Sequence, residues 1–364
     1  MRYFCGSITA VLFLAGVALA QDGDAQIGTA KARYTVLRPN LSAGPAGQAA
    51  TPLTTWNGKF TYQGVSYSFN MVGTDPTKTN TTTTIPVFII PVKIVITKGA
   101  TKTTFDPAHV LSNGKTVTNN TTASPIFDAT TTYIQGGVNV GTTQYIDAYQ
   151  RANFWAAVKN RPNYHLMLGT PTVLSTVTLS PSASLGITGT PFGHKVAEVD
   201  INWIDGQFQS IITQNPQITP GSLPIFLTYD TYLTDFGCCI GGYHSSFGNT
   251  AAPQAYAEFT YVDFVGDFSQ DVSALSHEVG EWADDPLVVN TSGNPVQCGI
   301  LENGDPEEGF TNFGAFPYAV NGFSYNLQDL VFLPYFGASK TISVNSSLSF
   351  QQNPFGLTVC SNGG

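Results

Sequence analysis

The chain has 364 residues, only 11 % of them charged, with 15 Lys and Arg against 24 Asp and Glu and a formal net charge of −9. An acidic chain with no basic stripe is a poor partner for a phosphate backbone, so a nucleic-acid role is excluded. The abundance of Gly, Thr, Ser and Asn instead suits an exported, β-rich protein whose surface is hydroxyl and amide.

Residues 1–20 begin Met1-Arg2, run apolar through ITAVLFLAGVALA and end on the small-residue site Ala18-Leu19-Ala20. That pattern predicts a secretory signal peptide, cleaved after Ala20, and hence a secreted protein. The apolar run is too short to span a bilayer and no later stretch matches it, so no membrane span is expected. Cleavage removes Arg2 and no acid, leaving 14 basic and 24 acidic side chains, a charge of −10. It also removes Cys5. Cys238, Cys239, Cys298 and Cys360 remain, an even count that favours disulfides in an exported chain, with three connectivities open. A bond between the neighbours Cys238 and Cys239 needs a strained ring, so each is expected to reach Cys298 or Cys360. A link from Cys298 would hold the acidic turn after it. No C-x-x-C pair is present, which argues against a thiolate zinc site.

Residues 21–50, rich in Gly, Ala and Pro without periodicity, read as a flexible arm. Residues 51–364 read as one domain: β-rich over 51–140, sheet and helices over 141–290, and a C-terminal subdomain over 291–364. TTWNGKFTYQGVSYSFNMVG alternates and carries the turn pairs Asn57-Gly58 and Gln63-Gly64, predicting a hairpin. TIPVFIIPVKIVI predicts a buried strand, with Pro86 and Pro91 at its end or at a bulge. TKTNTTTT and TVTNNTTAS read as polar loops. YIDAYQRANFWAAV predicts a helix ahead of Pro162, then HLMLGTPTVLSTVTL and HKVAEVDINWI read as strands. GQFQSIITQNP predicts a helix closed by Pro216, followed by the strands LPIFLTYDTYL and QAYAEFTYVDF. A further helix is expected from about Asp267, capped with Gln270, to Asp284, because Pro286 disfavours helical backbone at residue 285. Short strand-like pieces follow to the end.

That last helix carries the chemistry. ALSHEVGEWADDP reads as the zinc-protease signature H-E-x-x-H with Glu281 in place of the second histidine. His277 and Glu281 lie one turn apart and project together, as two ligands of one ion must. Zinc accepts imidazole and carboxylate alike. Glu278, about 100° round the helix, suits a general base acting on a water. The plain alternative is an exposed acidic helix face, against which Gly280 counts, because glycine inside a helix usually marks a close approach. A third ligand is sought in LENGDPEEG, which offers Glu302 and then Asp305; the alternative there is an Asn303-Gly304 turn with solvated acids. Asp284 shares the helix face but stands about 10 Å along it, so a supporting role is expected. In CCIGGYHSSFG, His244 or Tyr243 could stabilise an oxyanion, and Gly241-Gly242 would admit close backbone approach. His109, His165 and His194 are taken as structural.

ALSHEVGEWADDP followed by CGILENGDP, together with CCIGGYHSSF and YIDAYQRANFW, resembles a group of exported microbial proteins of the H-E-x-x-E type. These are similar in turn to the plant phosphate-induced (exordium-like) extracellular proteins. The resemblance covers about residues 55–310. It implies a zincin-like α+β fold, in which a β-rich N-terminal part precedes a mixed sheet with a backing helix and the H-E-x-x-E helix. It implies His277 and Glu281 as metal ligands, Glu302 or Asp305 as the third, and Glu278 as base. The expected function is thus a secreted zinc metallopeptidase acting on a peptide or protein. The rival is a non-catalytic cell-envelope or matrix protein in which the carboxylates hold Ca²⁺ or nothing.

Overall fold

The computed structural model describes residues 33–37, 39–42, 51–62, 64–290, 301–308, 310–333 and 343–352. The expected signal peptide, Cys298 and Cys360 lie outside the described residues.

The expected zincin-like α+β fold is overturned. The chain is mostly strand, 42 % against 19 % helix, and is organised on a large, nearly closed mixed sheet. Its spine runs Thr172–Val173, Val87–Lys98, Leu223–Tyr229, Gln254–Tyr261, Cys238–Asn249, Thr231–Thr234, Val196–Asp200 and Gly186–Gly189. Leu223–Tyr229 is parallel to both its neighbours, with Ile225 opposite Ile89 and Ala257. All seven of its residues are buried, as expected of a parallel strand covered on both faces. The physical reason for the misreading lies in the threonines. Thr82–Ile85, Thr131–Gln135 and Val138–Thr143 are strands, yet their hydroxyl side chains show little hydrophobic alternation. The last two form a hairpin turning through Gly136 and Gly137, at φ 54° and 80°, backbone that glycine adopts freely. Part of the expected flexible arm is also strand, Arg33–Val36 and Asn40–Ser42, both parallel to Cys238–Asn249.

Thr55–Tyr62 and Val65–Val72 form the expected hairpin, although Asn57-Gly58 lies inside a strand rather than in the turn. Pro91 is tolerated because it sits where Val87–Lys98 changes partner, opposite Leu227 before Val92 pairs with Val177.

Among the described residues, five α-helices punctuate the strands: α1 (Val117–Thr122), α2 (Tyr145–Asn153), α3 (Trp155–Val158), α4 (Ile201–Gln214) and α5 (Ser273–Asp284). The segment TVTNNTT, read as a loop, is α1, nucleated by Thr116, whose hydroxyl accepts from the Asn119 amide. The expected helix of residues 145–158 is broken at Phe154 into α2 and α3. α4 begins within a segment read as strand, because Asp200 caps it by accepting from the Trp203 amide. Alternation through the central strands splits the core in two. Ile225, Leu227 and Phe259 pack with α2 and α5 on one face, while Phe226 and Tyr256 pack with α4 on the other.

The expected disulfide reach is also corrected. Cys238 and Cys239 are bonded to each other, with their Cα atoms 3.1 Å apart.

Candidate metal centre

α5 ends at Asp284 as expected, but it starts at Ser273, not near Asp267. Ser269 and Asp271 take positive φ, so Asp267–Asp271 is a turn, and Gln270 accepts from the Gly266 amide instead of capping the helix. All twelve residues of α5 are buried, which removes the reading of an exposed acidic face. Gly280 has the close-approach role its position suggests: a Cβ there would stand 2.5 Å from Leu330.

The helix lies against Cys238–Asn249 and Gln254–Tyr261, bringing His277, Glu278 and Glu281 beneath His244. His244, His277 and Glu278 are 0 % exposed, Glu281 1 % and Glu302 4 %. The loop carrying Glu302 is fixed one residue on. The Asn303 amide donates to Tyr149 Oη, the Gly280 carbonyl and Asp284 Oδ2 at 3.0, 3.1 and 2.9 Å. Asn303 and Gly304 are thus an anchor rather than a solvated turn, and Asp284 accepts a hydrogen bond from that anchor.

Both imidazoles have one nitrogen tied to a carbonyl oxygen and the other facing the acids. His244 Nε2 is 3.2 Å from the Asp285 carbonyl, and His277 Nδ1 is bonded to Gln328 Oε1. Since a carbonyl only accepts, those nitrogens carry the protons, leaving His244 Nδ1 and His277 Nε2 bare when the rings are neutral. His244 Nδ1 lies 3.3 Å from Glu278 Oε2 and 3.7 Å from Glu281 Oε2. His277 Nε2 lies 3.0 Å from Glu281 Oε1, which also accepts from the Gly304 amide at 3.0 Å.

The donor atoms fall into two sets whose members lie within 4.8 Å of one another: His244, Glu281 and Glu302, and His277, Glu278 and Glu281. Glu281 belongs to both. Its Oε2 and Oε1 of Glu278 are buried without a hydrogen-bond partner of normal geometry, and the carboxyl of Glu302 faces that of Glu281. Burial sets most of the electrostatics. It pushes Glu302 and Glu278 well above the usual carboxylate range, reinforced by the charge of Glu281, so both hold protons in the ion-free protein. Burial likewise depresses His244 to about 4. It would also depress His277 and raise Glu281, but their mutual attraction prevails, placing His277 at about 9 and Glu281 at about 2.

Five of the expected residues are therefore brought together: His244, His277, Glu278, Glu281 and Glu302. His244 stands among the donors rather than in an oxyanion position. Asp305 sits at the margin, its Oδ1 3.7 Å from His277 Nε2, and belongs to neither set. Tyr243 is on the opposite face of its strand and donates to Asp205 Oδ1 at 2.9 Å, so it cannot serve this site. His109, His165 and His194 have carboxylate neighbours that the sequence did not reveal (Asp263, Asp147 and Asp267), but none joins the donor sets. Gln328, the Asp285 carbonyl and Tyr34, which packs on His277 with ring centroids 4.3 Å apart, were not anticipated. Nothing in their local sequence marks them.

Comparison with known proteins gave no match to a family model, a curated protein or a solved structure. Among the described residues, no helix is long and apolar enough to cross a membrane.

Proposed function

We propose that this chain is an exported metal-dependent hydrolase, a peptidase by its donor chemistry, holding one zinc-class dication on His244 Nδ1, Glu281 Oε2 and Glu302. The observation that carries this reading is the convergence of buried imidazole and carboxyl groups whose neighbours are one another. Unpaired carboxylates and bare imidazole nitrogens are too costly to bury face to face unless protons or a cation stand between them. An imidazole nitrogen in the set favours a zinc-class ion over calcium. When bound, such an ion would polarise a carbonyl and acidify water.

The surrounding residues have separable roles in this reading. Gly304 and His277 hold Glu281 Oε1, which turns Oε2 toward His244. Glu278 stands beside His244, where it can take a proton from an attacking water once it has lost its own. Gly242 leaves it room, because a Cβ there would come within 2.9 Å of Glu278 Oε1. Complete burial of the donors favours a second reading, in which the ion is structural and the protein a non-catalytic envelope or matrix component.

Zinc and calcium titrations of the wild type, Glu281→Gln, Glu302→Gln and Glu278→Gln, each followed by a peptide-hydrolysis assay, test both readings. The proposal expects zinc at one equivalent, affinity reduced at least about 10-fold by the first two changes, and activity abolished with zinc retained in the third. Zinc binding without hydrolysis in any form selects the structural reading. Equal, weak binding by all four proteins overturns the metal site.

A further inference from the structure

The strand Cys238–Asn249 has one edge filled by Gln254–Tyr261, which pairs with residues 242–247. Thr231–Thr234 pairs with the start of the strand, Leu233 standing opposite Ile240, whose other side meets Arg33. The edge opposite Gln254–Tyr261 is taken by the chain's own N-terminal segment. Thr35 lies opposite Tyr243, Val36 opposite His244 and Asn40 opposite Phe247. Ser245 Oγ and the Leu37 carbonyl add a hydrogen bond of 2.9 Å. Tyr34 is fully buried, its ring on His277 and its hydroxyl accepting from the Ser269 amide at 3.3 Å. Its own amide donates to Glu308 Oε1 at 2.5 Å. Gly241 permits this packing, because a Cβ there would stand 3.0 Å from the tyrosine ring.

An open strand edge beside a pocket for an alternate side chain is how proteins capture extended peptides: main-chain bonds supply affinity and the pocket supplies selectivity. We propose that the edge from Tyr243 to Asn249 is a binding cleft for an extended peptide with an aromatic side chain, and that the strands Arg33–Val36 and Asn40–Ser42 are its intramolecular occupant. The occupant closes the site: its tyrosine covers His277, and its backbone runs beside His244. This deepens the hydrolase reading and rests on it, since a peptide bond must reach donors that are now 0–4 % exposed. The ligand class is an extended segment that presents an amide to Glu308 and an aromatic ring to the space Tyr34 fills.

The test places a site-specific protease sequence between Ser42 and Thr51 of the full chain, cuts the folded protein, and adds a fluorescein-labelled peptide RYTVLRPNLS. The expected result is one-to-one uptake seen as a rise in anisotropy, with near-UV circular dichroism retained. The same peptide with alanine for its tyrosine should bind at least about 10-fold more weakly. In the uncut chain, Tyr34→Ala should keep the native dichroism and admit the labelled peptide at concentrations where the wild type admits none. A cut fragment that never exchanges, or that leaves only when the dichroism collapses, overturns the proposal and makes the segment an integral strand. Loss of fold in uncut Tyr34→Ala does the same. None of these readouts requires a bound ion, so failure of the metal site and failure of the cleft are distinguishable.

Discussion

His277 Nε2 lies 3.0 Å from Glu281 Oε1, and both side chains are shut off from solvent. Since the Gly304 amide donates to the same oxygen, the contact fixes how Glu281 presents its other oxygen to His244. On the proposed reading His277 orients a ligand rather than binding the ion itself. His277→Gln should weaken zinc about 10- to 100-fold, as loss of a group that orients a ligand does, and His244→Gln should weaken it more. A competition titration against a chromophoric chelator gives the order. The reverse order would move the ion to the set formed by His277, Glu278 and Glu281.

Gly304→Ala should be destabilising for a steric reason. The added methyl would come within 2.3 Å of His277 Nδ1, on the side already taken by Gln328. Overpacking of this kind costs about 1–3 kcal/mol. Gly206→Ala supplies the control. It lies inside α4 with nothing within 4 Å of the new atom, so it should stabilise by about 0.5–1 kcal/mol. Urea denaturation of the two variants should therefore shift in opposite directions.

Asp271 ties the start of α5 to the hairpin strand Phe323–Gln328, accepting from the Asn326 backbone and side chain and from the Val272 amide. Burial outweighs these bonds and raises its carboxyl from 3.8 to about 7. The folded state then binds more protons than the unfolded state between those two values, so stability falls as pH rises through the window. Asp271→Asn removes this contribution. Relative to the wild type, the variant should be more favourable at pH 7 than at pH 4, as read by denaturant unfolding at both values. A difference that does not change with pH would show that Asp271 is ionised throughout.

The parts of the site legible in the sequence were those set by helix geometry and by proline. His277, Glu278 and Glu281 followed from spacing on one helix, and Pro286 located its end. Glu302 was reachable as an acid in a short turn-rich segment. The start of α5 was misread because Asp267 and Gln270 match a capping pattern, whereas the positive φ of Ser269 and Asp271 belongs to a turn. His244 could be suspected but not assigned, because its role depends on a strand register with Ala257 that local sequence does not encode. The sheet was the least legible part. Its strands Arg33–Val36 and Asn40–Ser42, like Thr82–Ile85 in a separate two-stranded sheet, are short and are defined by the strands they join rather than by their own pattern.

The Asn303 anchor has a consequence for how an ion would be received. Its side-chain amide is bound to α2 through Tyr149 and to α5 through Gly280 and Asp284, so the loop that carries Glu302 is held by two helices through contacts outside the donor set. On the proposed reading those contacts, rather than an ion, place the loop, so little chain ordering should accompany capture. Capture should be governed by how fast protons leave Glu278 and Glu302 and how fast the cover over His277 opens. On that reading the centre is a lock cut in advance, with Tyr34 lying across its keyhole.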